Sequence, residues 1–264
     1  MVTATTMSPK AQQWGALWGN QPRDWAVSEE QQAPVYEATL DHLGLEHGAR
    51  VLDVGCGTGV FLRMAADRGA IVSGLDASEG LLELTHERVP EAELCLGDMQ
   101  SLPYGDDRFD VVTGFTSFFF ADDMVEALRE ARRVTRPGGR VAIEVFGNPE
   151  NCDLEAMKAA VARFRTPAQG EHAENYWRPG IVEELASTAG LEVEHSFDTT
   201  SVYEFADDSA LTTAMAAAGG AAVVAGPDRE HELRAAILEE LAHCRQADGS
   251  YRVSNEWHVV IARA

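Results

Sequence analysis

The sequence predicts an α/β fold: one parallel sheet with helices on both faces. Three observations carry this. Between Ala49 and Gly147, short apolar runs alternate with helical stretches of about ten residues. The runs are apolar nearly throughout, as strands covered on both faces are. The first run ends in three glycines at alternate positions, Gly55, Gly57 and Gly59, and a helix follows at once.

The elements follow in order. Residues 1–48 read as amphipathic helices anchored by Trp14, Trp18, Trp25 and Tyr36. "RVLDV" is the first strand, and "VFLRMAAD" is a helix that Gly69 can cap. "AIVSGLD" is the second strand, and Ser78 can cap the helix "EGLLELTHERV". "AELCLGD" and "RFDVVTGF" are the third and fourth strands. "DMVEALREARRVT" is a helix opened by Asp123 with Glu126 three residues on, a capping box. "RPGG" is a turn and "RVAIEVFG" a fifth strand. Residues 148–178 are polar, with aromatics at Phe164, Tyr176 and Trp177. The helix "PGIVEELASTAG" has Pro179 near its start and Gly190 at its end. "LEVEHSFD" is a sixth strand, residues 207–245 hold two helical stretches, and "NEWHVVIARA" is a seventh strand.

The 264 residues suit one large α/β domain or two small ones. With no internal repeat and no low-complexity linker, the chain reads as one domain, 1–264, with an inserted helical cap. At 45% hydrophobic it can bury a full core. The 43 acidic residues against 21 basic ones give a net charge of −22. That balance argues against nucleic acid or an anionic membrane as partner, because both require clustered Lys and Arg. The simplest role of the excess acid is solubility. "MVTATTMSPK" lacks the apolar core of a signal peptide, and no apolar run is expected to cross a membrane. The richest, "ALTTAMAAAGGAAVVAG", is broken by Gly219 and Gly220. Cys56, Cys95, Cys152 and Cys244 show neither metal-ligand spacing nor a disulfide framework, so a reduced, cytoplasmic protein is expected.

The glycine turn is G-x-G-x-G, whereas a dinucleotide fingerprint is G-x-G-x-x-G, and Val60 stands where the latter wants glycine. Asp53 lies two residues before Gly55. A carboxylate there repels a pyrophosphate and suits a cationic amino group. Asp76, ending "SGLD", can accept two ribose hydroxyls, which NAD and S-adenosylmethionine both offer. Asp98, in "LGDMQSLP", suits an adenine amino group, with an apolar neighbour for the ring.

Taken in order, "VLDVGCGTG", "GLDAS", "LGDMQSLPYGDDRFDVV" and "RVTRPGGRVAIEVFG" resemble the class I S-adenosylmethionine-dependent methyltransferases, in the group that includes ubiquinone and menaquinone biosynthesis enzymes. The resemblance covers about residues 45–147, with weaker support at 179–199 and 253–264. It implies a Rossmann-like seven-stranded sheet whose last strand is antiparallel, helices on both faces, and a helical cap. Residues 1–48 would be an N-terminal cap, 49–147 the cofactor-binding core, 148–252 substrate-cap and lid elements with strand six, and 253–264 the final strand. It implies that Asp53 and the backbone of Gly55, Cys56 and Gly57 face the methionine part of the cofactor. Asp76 would hold the ribose, Ala77 would lie beside the adenine, and Asp98 and Met99 would flank it. Gly114 and Phe115 would lie near the amino group and the substrate, and an N-terminal aromatic, Trp25, Trp18 or Tyr36, would close over the cofactor.

The activity implied is transfer of a methyl group to a small-molecule acceptor, a specialised metabolite, by in-line displacement, leaving S-adenosylhomocysteine. An oxygen or carbon nucleophile needs a base. Glu144 interrupts an apolar strand and His172 lies in the cap segment; the alternatives are a carboxylate satisfied by a neighbour and a surface histidine. No metal is expected. Phe118, Phe119 and Phe120 form either an aromatic wall for a planar or apolar acceptor or core packing; one or two should reach the pocket, because consecutive residues cannot share one helix face. Phe118, Phe119, Tyr176 and Trp177 are the substrate-pocket candidates. "GFTSFF" replaces the "NPPY" or "DPPY" of enzymes that methylate nitrogen in nucleic acids or proteins. The alternative function is a cofactor-binding protein that has lost methyl transfer and catalyses another reaction, such as a cyclisation, or only binds. A nicotinamide-dependent oxidoreductase is disfavoured by Val60, Asp53 and the lack of Tyr-x-x-x-Lys. A monomer or homodimer is expected.

Overall fold

The computed structural model of the chain describes residues 2–164, 176 and 178–264. Among these, eight strands form one sheet in the order β1-β4-β3-β2-β5-β6-β8-β7. The strands are β1 (Thr3–Ala4), β2 (Arg50–Val54), β3 (Ile71–Asp76), β4 (Glu93–Leu96), β5 (Phe109–Phe115), β6 (Thr135–Phe146), β7 (Glu192–Phe205) and β8 (Tyr251–Arg263). Pairs from β1 through β6 are parallel, and β8 runs antiparallel to both β6 and β7. The strand order reverses between β3-β2 and β2-β5, so a crevice opens beyond the carboxyl ends of β2 and β5.

Three details depart from the sequence reading. The sheet has an eighth strand, because two residues of the N-terminal segment pair with Cys95 and Leu96 on the open edge of β4. "RPGG" is built into β6 with a register shift opposite Phe109–Val111, so an irregular strand replaces the expected turn. The antiparallel β7–β8 pair is longer than expected, at 14 and 13 residues. At its centre the buried Trp257 donates its indole N–H to Ser201 Oγ at 2.8 Å.

Alternation along the strands divides the core. Val51 of β2 and Ala142 of β6 face α3 (Ala33–Leu43), α4 (Val60–Asp67) and α5 (Glu79–Arg88), while Leu52, Val54, Val141 and Ile143 face α6 (Met124–Val134) and α8 (Ile181–Thr188). Ser78 Oγ accepts from Leu81 N at 3.2 Å, and Asp123 Oδ1 accepts from Val125 N at 2.8 Å, so both expected caps form. Helices α1 (Pro9–Trp18) and α2 (Pro22–Glu29) cover the crevice. A cap of α7 (Glu155–Ala162), α9 (Asp208–Ala217), α10 (Ala221–Ala225) and α11 (Glu230–Glu240) joins the first face. By length and mean hydropathy (1.2) the run Asp208–Ala225 meets the measure of a membrane span, which the sequence reading did not expect. It is two short helices parted where Gly219 and Gly220 take φ of +57° and +69°, and Leu211, Met215 and Ala216 are fully buried in the core.

Candidate functional site

The glycine turn leaves β2 and enters α4. Its backbone is held against β3, where Leu75 O accepts from Gly55 N at 2.7 Å and from Cys56 N at 3.1 Å. Gly57 has φ of +54°, and a Cβ there would lie 2.7 Å from the Glu29 carboxylate. The position is closed to any side chain on both counts.

A cleft of about 730 Å³, partly open to solvent, lies above this turn. Trp25, Asp53, Gly55, Cys56, Gly57, Asp76, Ala77, Met99 and Phe115 line it, so most of the expected cofactor residues are brought together. Asp98 lines an adjoining cavity shared with Asp76 and Met99. Its Oδ2 accepts from Ser8 N at 3.1 Å and its Oδ1 from Gln100 N at 2.9 Å, so the N-terminal segment is tied to it. Asp76 Oδ2 accepts from Gly57 N at 3.0 Å and Oδ1 from Ser78 N at 2.8 Å. Asp53 Oδ1 accepts from Thr113 Oγ1 at 2.7 Å.

Sequence reading missed Glu29. It ends α2, is buried, and receives Thr58 N at 2.9 and 3.1 Å on its two oxygens. Glu29, Asp53 and Asp76 thus converge on one turn, and among the described residues no Lys, Arg or His lines the cleft. Burial pushes Asp53 up to about 8, Glu29 up to about 7 and Asp76 up to about 6; hydrogen bonds from Thr113, Thr58, Ser78 and Gly57 oppose the rise. Each carboxylate therefore gains from a nearby positive charge.

Aromatic rings form the walls. Trp14 and Phe120 lie 4.7 Å apart between centroids, Trp18 and Trp25 4.8 Å, and Tyr36 and Phe115 4.6 Å. Gly15 brings α1 so close to Ala77 that a Cβ would stand 1.9 Å from Ala77 O. Ser117 Oγ, which lines the cleft, is buried with no hydrogen-bond partner in the structure, and marks a place for a polar ligand atom.

Two expectations are corrected. Gly114 points to the opposite face of β5 from Phe115, where a Cβ would meet the Phe118 ring at 2.4 Å. Gly114 therefore lets Phe118 pack and does not line the cleft. Phe118 is 1% exposed and belongs to the core on the α6 side, whereas Phe120 reaches the cleft. Phe119 stands between Phe120, at 4.6 Å, and Tyr176, at 5.8 Å, with Phe146 at 6.2 Å, an aromatic strip outside the cleft residues. Glu144 is 1% exposed, and neither carboxylate oxygen has a hydrogen-bond partner in the structure. Burial raises its pKa well above the ordinary value, and the Asp53 charge adds to this. It faces the cleft side of β6 and acts electrostatically on Tyr36 and Tyr203, without lining the cleft itself. His172 and Trp177 lie outside the described residues.

Comparison with known proteins gives the context for this geometry. Residues 52–143 match the family model of a methyltransferase domain. The chain is 39% identical over 120 residues to a demethylmenaquinone methyltransferase of Beutenbergia cavernae, covering 46% of this chain and 50% of that protein. The chain spans about half the length of the first curated relatives it matches. A demethylmenaquinone methyltransferase of Bacillus subtilis is 33% identical over 202 residues, 70% of this chain and 87% of the relative. Among solved structures, the [4+2]-cyclase SpnF shares the fold over 97% of both chains, with a TM-score of 0.63 at 20% identity.

Proposed function

Because this chain belongs to the class I S-adenosylmethionine-dependent methyltransferases, we propose that it methylates a small planar or apolar acceptor, a specialised metabolite, by in-line displacement. One observation carries the cofactor side of this reading: among the described residues, three buried carboxylates and no basic side chain line the cleft at the glycine turn. An anionic dinucleotide is repelled there, and a ligand bearing positive charge is drawn in. The unpartnered Ser117 hydroxyl, which lines the cleft beside Gly55, fits the polar end of such a ligand.

S-adenosylmethionine, the family's cofactor, supplies a methyl group already activated on a sulfonium. The chain's own residues then have five tasks. Asp53 and the turn backbone hold the amino-acid end, and Asp76 holds the ribose. Asp98 and Met99 flank the base, beside the backbone of Ala77. Trp14, Trp18, Trp25 and Phe120 exclude water. Phe119, Phe146 and Tyr176 offer flat faces to an acceptor. Most of the acceleration in such a site comes from alignment. Glu144 does not line the cleft, and burial favours the protonated form of its carboxyl, so it is not placed to take a proton from an acceptor there.

The test is incubation with methyl-labelled S-adenosylmethionine and a panel of phenols, quinols and apolar hydroxy compounds. S-adenosylhomocysteine should form only with an acceptor present, and label should enter that acceptor. The SpnF likeness over 97% of both chains favours a second reading, a cofactor-binding protein that catalyses a cyclisation. Tight cofactor binding with no label transferred to any acceptor would favour it.

A further inference from the structure

Far along the chain from the glycine turn, three side chains from two segments meet on the cap: Asp153, in the loop before α7, and His243 and Cys244, just after α11. We propose that Asp153, His243 and Cys244 bind a borderline-soft divalent cation, Zn2+ by their chemistry, which clamps the end of α11 to the loop that follows β6. His243 Nε2 lies 2.9 Å from Asp153 Oδ1 and 3.3 Å from Cys244 Sγ. The oxygen, nitrogen and sulfur all lie within 4.8 Å of one another. A tetrahedral Zn2+ with ordinary bond lengths separates such atoms by about 3.3–3.6 Å, so the two pairs that His243 makes need to open only by tenths of an ångström.

The surroundings of the three residues are those of a ligand set. His243 Nδ1 lies 3.1 Å from Glu240 O. A carbonyl only accepts, so Nδ1 carries the hydrogen. That fixes the tautomer and leaves the Nε2 lone pair turned towards Asp153 and Cys244. A ligating histidine ordinarily holds its other nitrogen in this way. On a neutral ring, the Nε2 lone pair and the Asp153 carboxylate repel each other at 2.9 Å; a cation between them removes the conflict. Asp153 is itself held, since its Oδ2 accepts from Ser254 N at 2.7 Å and its backbone N–H donates to Ser254 O at 2.8 Å. Nitrogen, oxygen and sulfur together favour zinc over magnesium or calcium, which take oxygen only. Three protein ligands leave a fourth position for water. None of the three residues lines the cleft, so this site is separate from methyl transfer.

The experiment uses tag-free full-length protein, stripped with chelator and titrated with Co2+ and Zn2+. One equivalent of Co2+ should give a thiolate-to-cobalt charge-transfer band with tetrahedral d–d absorption, and Zn2+ should displace it. Cys244→Ser should remove the band, which assigns it to this thiol among the four. His243 is half exposed, so His243→Ala keeps the fold; it should lower Zn2+ affinity at least about tenfold and abolish the rise in thermal midpoint that Zn2+ gives the parent. Retained S-adenosylhomocysteine binding serves as the check on folding. Absence of the band in the parent, or an equal band and midpoint shift in Cys244→Ser and His243→Ala, would overturn the proposal.

Discussion

Replacing Asp53 by asparagine tests whether the buried carboxylates, rather than the glycine turn alone, define the cleft. Asp53 is 3% exposed, and burial lifts its pKa from 3.8 to about 8. A group whose pKa is raised by folding stabilises the folded state fully below its unfolded value, and that stability is lost as pH climbs through the folded value. Between about pH 4 and pH 8, the cofactor-free protein should therefore lose stability because of Asp53. Each unit of separation corresponds to about 1.4 kcal/mol, so the full loss is on the order of 5 kcal/mol. For a chain of this size, 1 kcal/mol moves the thermal midpoint by about 2 °C, which predicts a fall on the order of 10 °C. Asparagine keeps the shape and can still bond Thr113 Oγ1, but it stays neutral. The assay is thermal unfolding without cofactor from pH 5 to 8.5. The parent midpoint should fall over that range, and Asp53→Asn should flatten the slope while weakening S-adenosylmethionine binding. A parent curve that is level or rising between pH 6 and 8, or an Asp53→Asn curve parallel to it, would refute the reasoning.

Other outcomes follow from the same geometry. Asp76→Ala should weaken cofactor binding by about 1.5–3 kcal/mol, the range for a hydrogen bond to a charged group; calorimetry on a folded variant that shows unchanged affinity would refute the ribose role. Gly57→Ala combines a positive φ with a Cβ 2.7 Å from Glu29, and should cost about 1–3 kcal/mol of stability in denaturant titrations and abolish binding. Phe118→Ala should destabilise by about 3–5 kcal/mol, because it empties a core position on the far side of the sheet from the cleft. Phe120→Ala should instead weaken ligand binding with little change in denaturant midpoint, since that ring lines the cleft.

The parts of the site that end strands were legible in the sequence. Asp53, Asp76 and Asp98 each follow an apolar run whose parallel pairing brings its end to the same edge of the sheet, so position along the chain fixed position in space. Glu29 was hidden because it comes from α2, outside the repeating strand–helix unit, and nothing in "PRDWAVSE" marks which face turns inward. The three phenylalanines were hidden for a geometric reason. Residues 118–120 form a 3-10 turn, in which successive side chains point about 120° apart, so Phe118, Phe119 and Phe120 go to the core, the strip and the cleft in turn. Asp153 and His243 are 90 residues apart, a spacing that no metal-binding pattern encodes; only the strand β8, which carries Ser254 beside Asp153, reveals the pairing.

Under the proposed reaction, the acidic floor of the cleft has a consequence for how product leaves. Methyl transfer turns a sulfonium into a neutral thioether, so the bound molecule leaves the reaction with one positive charge fewer than it brought. Glu29, Asp53 and Asp76 remain where they were, facing a molecule that now attracts them less. Like-charge repulsion among three buried carboxylates then returns, and protons from solvent relieve it. Under that reaction the spent molecule would be held more weakly than the fresh one by the same walls, a bias towards exchange that comes from the charge of the site.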